Sequence, residues 1–74
     1  MNVRYPIKTA VTVRQNDGSE RIGTVFGHED GTRLGPKFGG PFAGVAYHVR
    51  LSGNDGQYEE VVVGEDSVFP LVED

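Results

Sequence analysis

The triplet Asn-Asp-Gly occurs twice, at 16–18 and 54–56, each time between stretches in which apolar and polar residues alternate. Glycine takes the positive φ of a tight reversal at no steric cost, and Asn and Asp tolerate it, so both sites predict β-hairpins. Ile7, Thr9, Val11 and Val13 alternate with Lys8, Ala10, Thr12 and Arg14, the period-2 pattern of a half-buried strand. Past the first turn, 21–28 sets Ile22, Thr24 and Phe26 on one face and Gly23, Val25 and Gly27 on the other. Two glycines inside a strand predict a bulge or bend where another backbone passes close.

The clearest strand follows a long interruption: Val45, Tyr47, Val49 and Leu51 share a face, with Ala46, His48, Arg50 and Ser52 on the other. The second turn, 53–56, returns the chain along 58–63, where Glu59 shares a face with Val61 and Val63. That strand is therefore expected to enter the core only past its first residues. Glu65-Asp66-Ser67, ahead of Val68-Phe69-Pro70, predicts a one-turn 3-10 helix with Asp66 or Ser67 capping free N–H groups. Leu71-Val72-Glu73 is expected to add a last short strand. No stretch keeps a helical repeat over ten or more residues. The expected fold class is all-β, five short strands in one domain over 1–74 with a core spanning about 7–73. Closure of the sheet into a small barrel would remove its exposed edges.

The interruption, 28–44, reads HEDGTRLGPKFGGPFAG. A connection this long is uncommon in a compact domain and, when ordered, is usually a binding loop or lid. Arg33, Lys37, Phe38 and Phe42 are its candidate binding residues: rings supply contact area, and Arg or Lys supplies charge. The same set suits stacking on single-stranded bases. A purely structural reading competes with both, in which Leu34, Phe38 and Phe42 fold back to plug an open end of the barrel. It has weight because a chain of 74 residues buries only about 60% of its unfolded surface and can spare few apolar groups.

Charge is divided along the chain. Residues 1–50 carry seven Lys and Arg against four acids, a balance of +3, while 51–74 carry seven acids and no base, a balance of −7. The net −4 argues against non-specific nucleic-acid binding, whose affinity comes from neutralising phosphates, and fits cross-strand pairs between the two parts. There is no cysteine, so neither a disulfide nor a thiolate zinc site is expected. Stability must come from a well-closed sheet, from self-association, or from both. With no apolar leader at the start and no membrane-length apolar run, a soluble cytoplasmic protein is expected.

Catalytic chemistry finds little footing. Ser19, Ser52 and Ser67 lie in turn or cap contexts, and His28 and His48 lack a metal-ligand spacing with carboxylates. The acid pairs Glu29-Asp30, Glu59-Glu60 and Glu65-Asp66 are adjacent, so on strands their side chains diverge. No cofactor or metal is expected.

The succession of strand, turn, Gly23-Thr24-Val25 strand, long loop, Tyr47-His48-Val49-Arg50-Leu51 strand, turn, Val61-Val62-Val63 strand and Glu65-Asp66-Ser67-Val68-Phe69-Pro70 resembles the SH3-like small barrel. That superfamily includes SH3, Tudor and KOW modules, and the resemblance covers nearly the whole chain from about Ile7. Gly18 followed by Gly23-Thr24-Val25 resembles part of the glycine pattern of KOW modules, which often bind RNA, ribosomes or RNA polymerase. The resemblance to Tudor domains would give Tyr5, Phe26, Tyr47 and Tyr58 as cage rings, although Tyr47 lies on the apolar face. It implies a binding module. The function expected is a non-catalytic adaptor that contacts another protein through the 28–44 loop. A nucleic-acid-binding module of KOW or Tudor type is the alternative, and an oligomeric small-barrel enzyme comes third. A homo-oligomer is compatible with any of them.

Overall fold

The computed structural model describes residues 3–53 and 56–71. Five strands run in chain order: β1 Ala10–Arg14, β2 Glu20–Asp30, β3 Val45–Ser52, β4 Tyr58–Gly64 and β5 Val68–Pro70. They form one antiparallel sheet in the order β4-β3-β2-β1-β5, with 3-10 turns as the sole helical pieces among the described residues. The all-β expectation holds. Alternation decides which side chains go inside: Val11 and Val13 of β1, Val25 of β2, Val45, Tyr47, Val49 and Leu51 of β3, and Val68 of β5 form the buried cluster. Their sequence neighbours Arg14, Thr24, Phe26 and Arg50 face water.

β2 is the longest strand and pairs along both of its edges. Its residues 20–24 pair with β1 and 23–30 pair with β3, so one strand serves both halves. The register slips between Val25 and Gly27, leaving Phe26 as the extra residue of a bulge, as the paired glycines predicted. At Gly23 the partner strand comes so near that an added Cβ would lie 2.6 Å from Val49 Cγ1 and 2.9 Å from the Arg50 carbonyl oxygen. The two turns share one frame. Gln15 N donates to Ser19 O at 2.8 Å and Gly53 N to Gln57 O at 2.8 Å, with Gly18 and Gly56 at φ of 87° and 80°. Asn54 and Asp55 of the second turn lie outside the described residues.

Several expectations are corrected. β1 begins at Ala10 rather than at Ile7, because Thr9 N donates to Pro6 O in a turn that puts Lys8 at φ 80°. Ile7 is left 53% exposed. Tyr5, just before that turn, reaches the core instead: its ring meets Tyr47 edge-on at 5.5 Å, and its carbonyl accepts from His28 Nε2 at 2.7 Å. β2 runs on through His28, Glu29 and Asp30, paired with Tyr47, Ala46 and Val45, so the irregular stretch is 31–44 and not 28–44. The 3-10 turn Glu65–Ser67 is present, but Gly64 precedes it and no side chain caps it. The last strand is Val68–Pro70, set against residues 11–13 of β1; Val72 and Glu73 lie outside the described residues. Closure is also incomplete. β4 and β5 end the hydrogen-bonded order, and no ladder joins them among the described residues. A short β5 ending in Pro70, which has no N–H to give, suits such an edge.

Candidate functional site

Residues 31–44 are tied down at their base and free at their tip. Gly31 N donates to Gly44 O and Phe42 N to Gly31 O, both at 2.9 Å, extending the β2–β3 pairing by a step into the loop. Asp30 closes the first turn, Gly31–Arg33: its Oδ1 accepts from Thr32 Oγ1 at 2.6 Å and from Thr32 N at 3.0 Å. The Thr32 hydroxyl, then its N–H, hold the Asp30 carboxyl below its ordinary value. A second turn, Pro36–Phe38, forms the tip, with Gly39 at φ 85° and Gly40 N donating to Gly35 O at 3.2 Å. Proline suits the first position of that turn, where an N–H would be unpaired, and glycine suits its end. The Gly40–Pro41 peptide is cis.

The four candidate residues of the loop differ in exposure and in partners. Arg33 is splayed into water, its side chain 86% exposed, with Nε 3.7 Å from Asp30 Oδ2. Lys37 is exposed and makes no ion pair among the described residues. Phe42 is half-buried and packs where glycines make room: a Cβ on Gly64 would lie 2.8 Å from its Cδ1, and one on Gly31 would lie 2.9 Å from its Cβ. Leu34 is buried as well. Phe38 is 47% exposed at the tip. Of the three apolar side chains expected to fold back, Leu34 and Phe42 are thus at least half-buried, while Phe38, with Lys37 beside it, is exposed.

Beside the tip lies the gap left by the unclosed sheet. An opening of about 310 Å³ runs between β4 and the end of β1. Val13, Leu51, Val61 and Val63 make part of its lining apolar, Arg14, Gln15 and Asn16 make another part polar, and Phe38 and Phe42 border it from the loop. Its volume is at the low end of the roughly 300–1,000 Å³ usual for ligand clefts. β4 changes character along its length, from exposed Tyr58, Glu59 and Glu60 to half-buried Val61, Val62 and Val63. The free edge of this strand escaped sequence reasoning, because alternation marks faces and says nothing about which strand is left without a neighbour.

A second surface lies on the outer face of β2, β3 and β4. The Arg50 guanidinium sits 5.4 Å from the Phe26 ring centre and 5.6 Å from that of Tyr58, and it also reaches Glu60 Oε1 at 3.2 Å. Tyr5 and Tyr47 are elsewhere, paired with each other, so the four rings considered for a cage do not converge. Glu59 and Glu60 diverge as expected, the former to Arg21 at 2.6 Å. His48 meets Glu29 at 3.2 Å, a pairing that their distance in sequence concealed. Among the described residues, no group of three or more His, Asp or Glu side chains could hold a metal ion, and no helix is long and apolar enough to cross a membrane.

Comparison of the chain with protein-family models, with curated proteins and with solved structures finds no match.

Proposed function

We propose that the chain is a non-catalytic binding module of the SH3-like small-barrel kind, acting in the cytoplasm and docking a segment of another protein at the opening beside β4. The observation that carries this reading is Phe38, a ring 47% exposed on a loop whose base is hydrogen-bonded in place, at the rim of a partly apolar gap. Large exposed rings next to a preformed hollow are the usual anchors of protein contacts, since little entropy is lost when they are covered. Phe42 also borders the hollow, and Arg14 is the charged residue in its lining. The test is selection of a displayed peptide library on the immobilised chain, repeated with Phe38→Ala. Ligands that the native chain selects should bind the variant about tenfold more weakly, a loss of ~1.4 kcal/mol, with the melting temperature unchanged. Equal binding by the variant overturns the reading.

One observation favours nucleic acid as a second reading: Arg50 lies between Phe26 and Tyr58 on an exposed sheet face, the mixed cation and ring surface on which bases stack. A gel shift with single-stranded RNA and DNA decides it. Binding through phosphates must weaken steeply as salt rises, and Arg50→Ala must abolish it.

A further inference from the structure

A strand at the edge of a sheet offers unpaired N–H and C=O groups, and natural proteins blunt such edges with charge or cover. β4 is an edge of this kind. It pairs along 58–64 with β3 alone, and no other backbone hydrogen bond reaches it among the described residues. Its two charges, both 60% exposed, are paired with arginines of β2 and β3, Glu59 with Arg21 at 2.6 Å and Glu60 with Arg50 at 3.2 Å. What is left along the edge is Val61-Val62-Val63, uncharged and half-exposed, above the opening that Phe38 borders. At its far end stand Glu65 and Asp66, which make no ion pair or side-chain hydrogen bond among the described residues.

We propose that the free edge of β4 receives an extended segment of another protein by strand addition. Apolar side chains at alternate positions of that segment fill the opening beside Phe38, and a basic residue meets Glu65 and Asp66. The inference rests on the binding reading above and specifies its partner. Backbone hydrogen bonds supply the affinity in this mode, and pockets for every second side chain supply the choice of sequence. Charge selects a basic partner over a second copy of the chain, because 51–74 contain no Lys or Arg. An antiparallel β4 pairing of two copies that sets Val61 across from Val63 also sets Glu59 across from Glu65. With Val61 on the symmetry axis, Glu59 falls across from Val63 and Glu60 from Val62. Either arrangement sets a carboxylate against another carboxylate or against an apolar side chain, which disfavours it.

The probe is a nine-residue end-blocked peptide alternating valine and lysine, titrated into the full chain with backbone amides followed by NMR and hydrogen exchange. Exchange should slow at the outward-facing amides of β4. A peptide N-methylated on every second amide should bind at least about tenfold more weakly, because it loses one row of donors. Glu65→Lys with Asp66→Lys should shift preference to the peptide in which glutamate replaces lysine. Equal binding of the N-methylated peptide, shifts confined to 65–66, or protection of β4 by concentration-dependent dimerisation without peptide would each overturn strand addition. The two proposals can fail separately. If library ligands depend on Phe38 but leave β4 amides exchanging freely, strand addition falls and the docking site stands. If β4 is protected and Phe38→Ala has no effect, strand addition stands and Phe38 is not the anchor.

Discussion

Single residues carry the tightest constraints in this molecule. Gly23 is one, because any side chain there would collide with Val49 and with the Arg50 carbonyl, which belong to the neighbouring strand and cannot step aside cheaply. Gly23→Ala should cost about 1–3 kcal/mol, seen as a lower urea midpoint with an unchanged slope. Asp17 and Asp30 are held below the ordinary carboxylate value by the hydroxyl groups and then the N–H groups of Ser19 and Thr32. A depressed folded-state pKa means that the stabilisation is present above the unfolded value and lost as pH falls below about 4. The melting temperature should decline over that acid range, and Asp17→Asn with Asp30→Asn should flatten the decline. A slope untouched by the double variant would contradict this origin. The positive φ of Gly18 was legible in the sequence, since a tight reversal asks for glycine; the bonds from Ser19 to the Asp17 carboxylate were not read there. Nor was the pairing of Glu29 with His48, because their meeting depends on the β2–β3 register.

At the scale of elements, the loop and the amino-terminal segment show where local pattern runs out. Residues 31–44 contain three large apolar side chains, Leu34, Phe38 and Phe42, evenly spaced but set among glycines and prolines that sustain no regular element, so nothing local says which turns inward. The structure buries Leu34 to 9% exposure and leaves Phe38 out. Leu34→Ala should therefore cost about 2–4 kcal/mol, and Phe38→Ala less than about 0.5 kcal/mol, measured by chemical denaturation. A large loss on Phe38→Ala would show the ring to be packing. Before β1, alternation suggested a strand reaching back to Ile7, yet the segment turns at Lys8 and delivers Tyr5 to Tyr47 and His28. Tyr5→Ala should lower stability by roughly 2 kcal/mol and speed exchange of the Val25 amide, which donates to Thr9 O at 2.9 Å. Period-2 alternation cannot register one residue with positive φ, and that residue redirects everything before it.

For the whole molecule the governing fact is a thin core. Stability of about 0.05–0.15 kcal/mol per residue gives a chain of 74 residues roughly 4–11 kcal/mol in all. Leu51 is fully buried beside Val13 and the opening, so Leu51→Ala, at about 2–5 kcal/mol, should remove a large part of it. Loss of the β-sheet dichroism signal at a temperature well below that of the native chain is the expected outcome. Survival with an unshifted transition would mean that the core is larger than the described residues show.

The sequence by itself determined the strand number, the turns and the inward side chains of β3, because alternation and turn chemistry are set between near neighbours. It also determined the bulge in β2, through glycines spaced for it. Only the tertiary structure decided which strand was left without a partner, which loop ring faced water, and that β1 and β4 would leave a gap between them. Those outcomes depend on pairing across tens of residues and on competition for a small interior, and no local pattern encodes either.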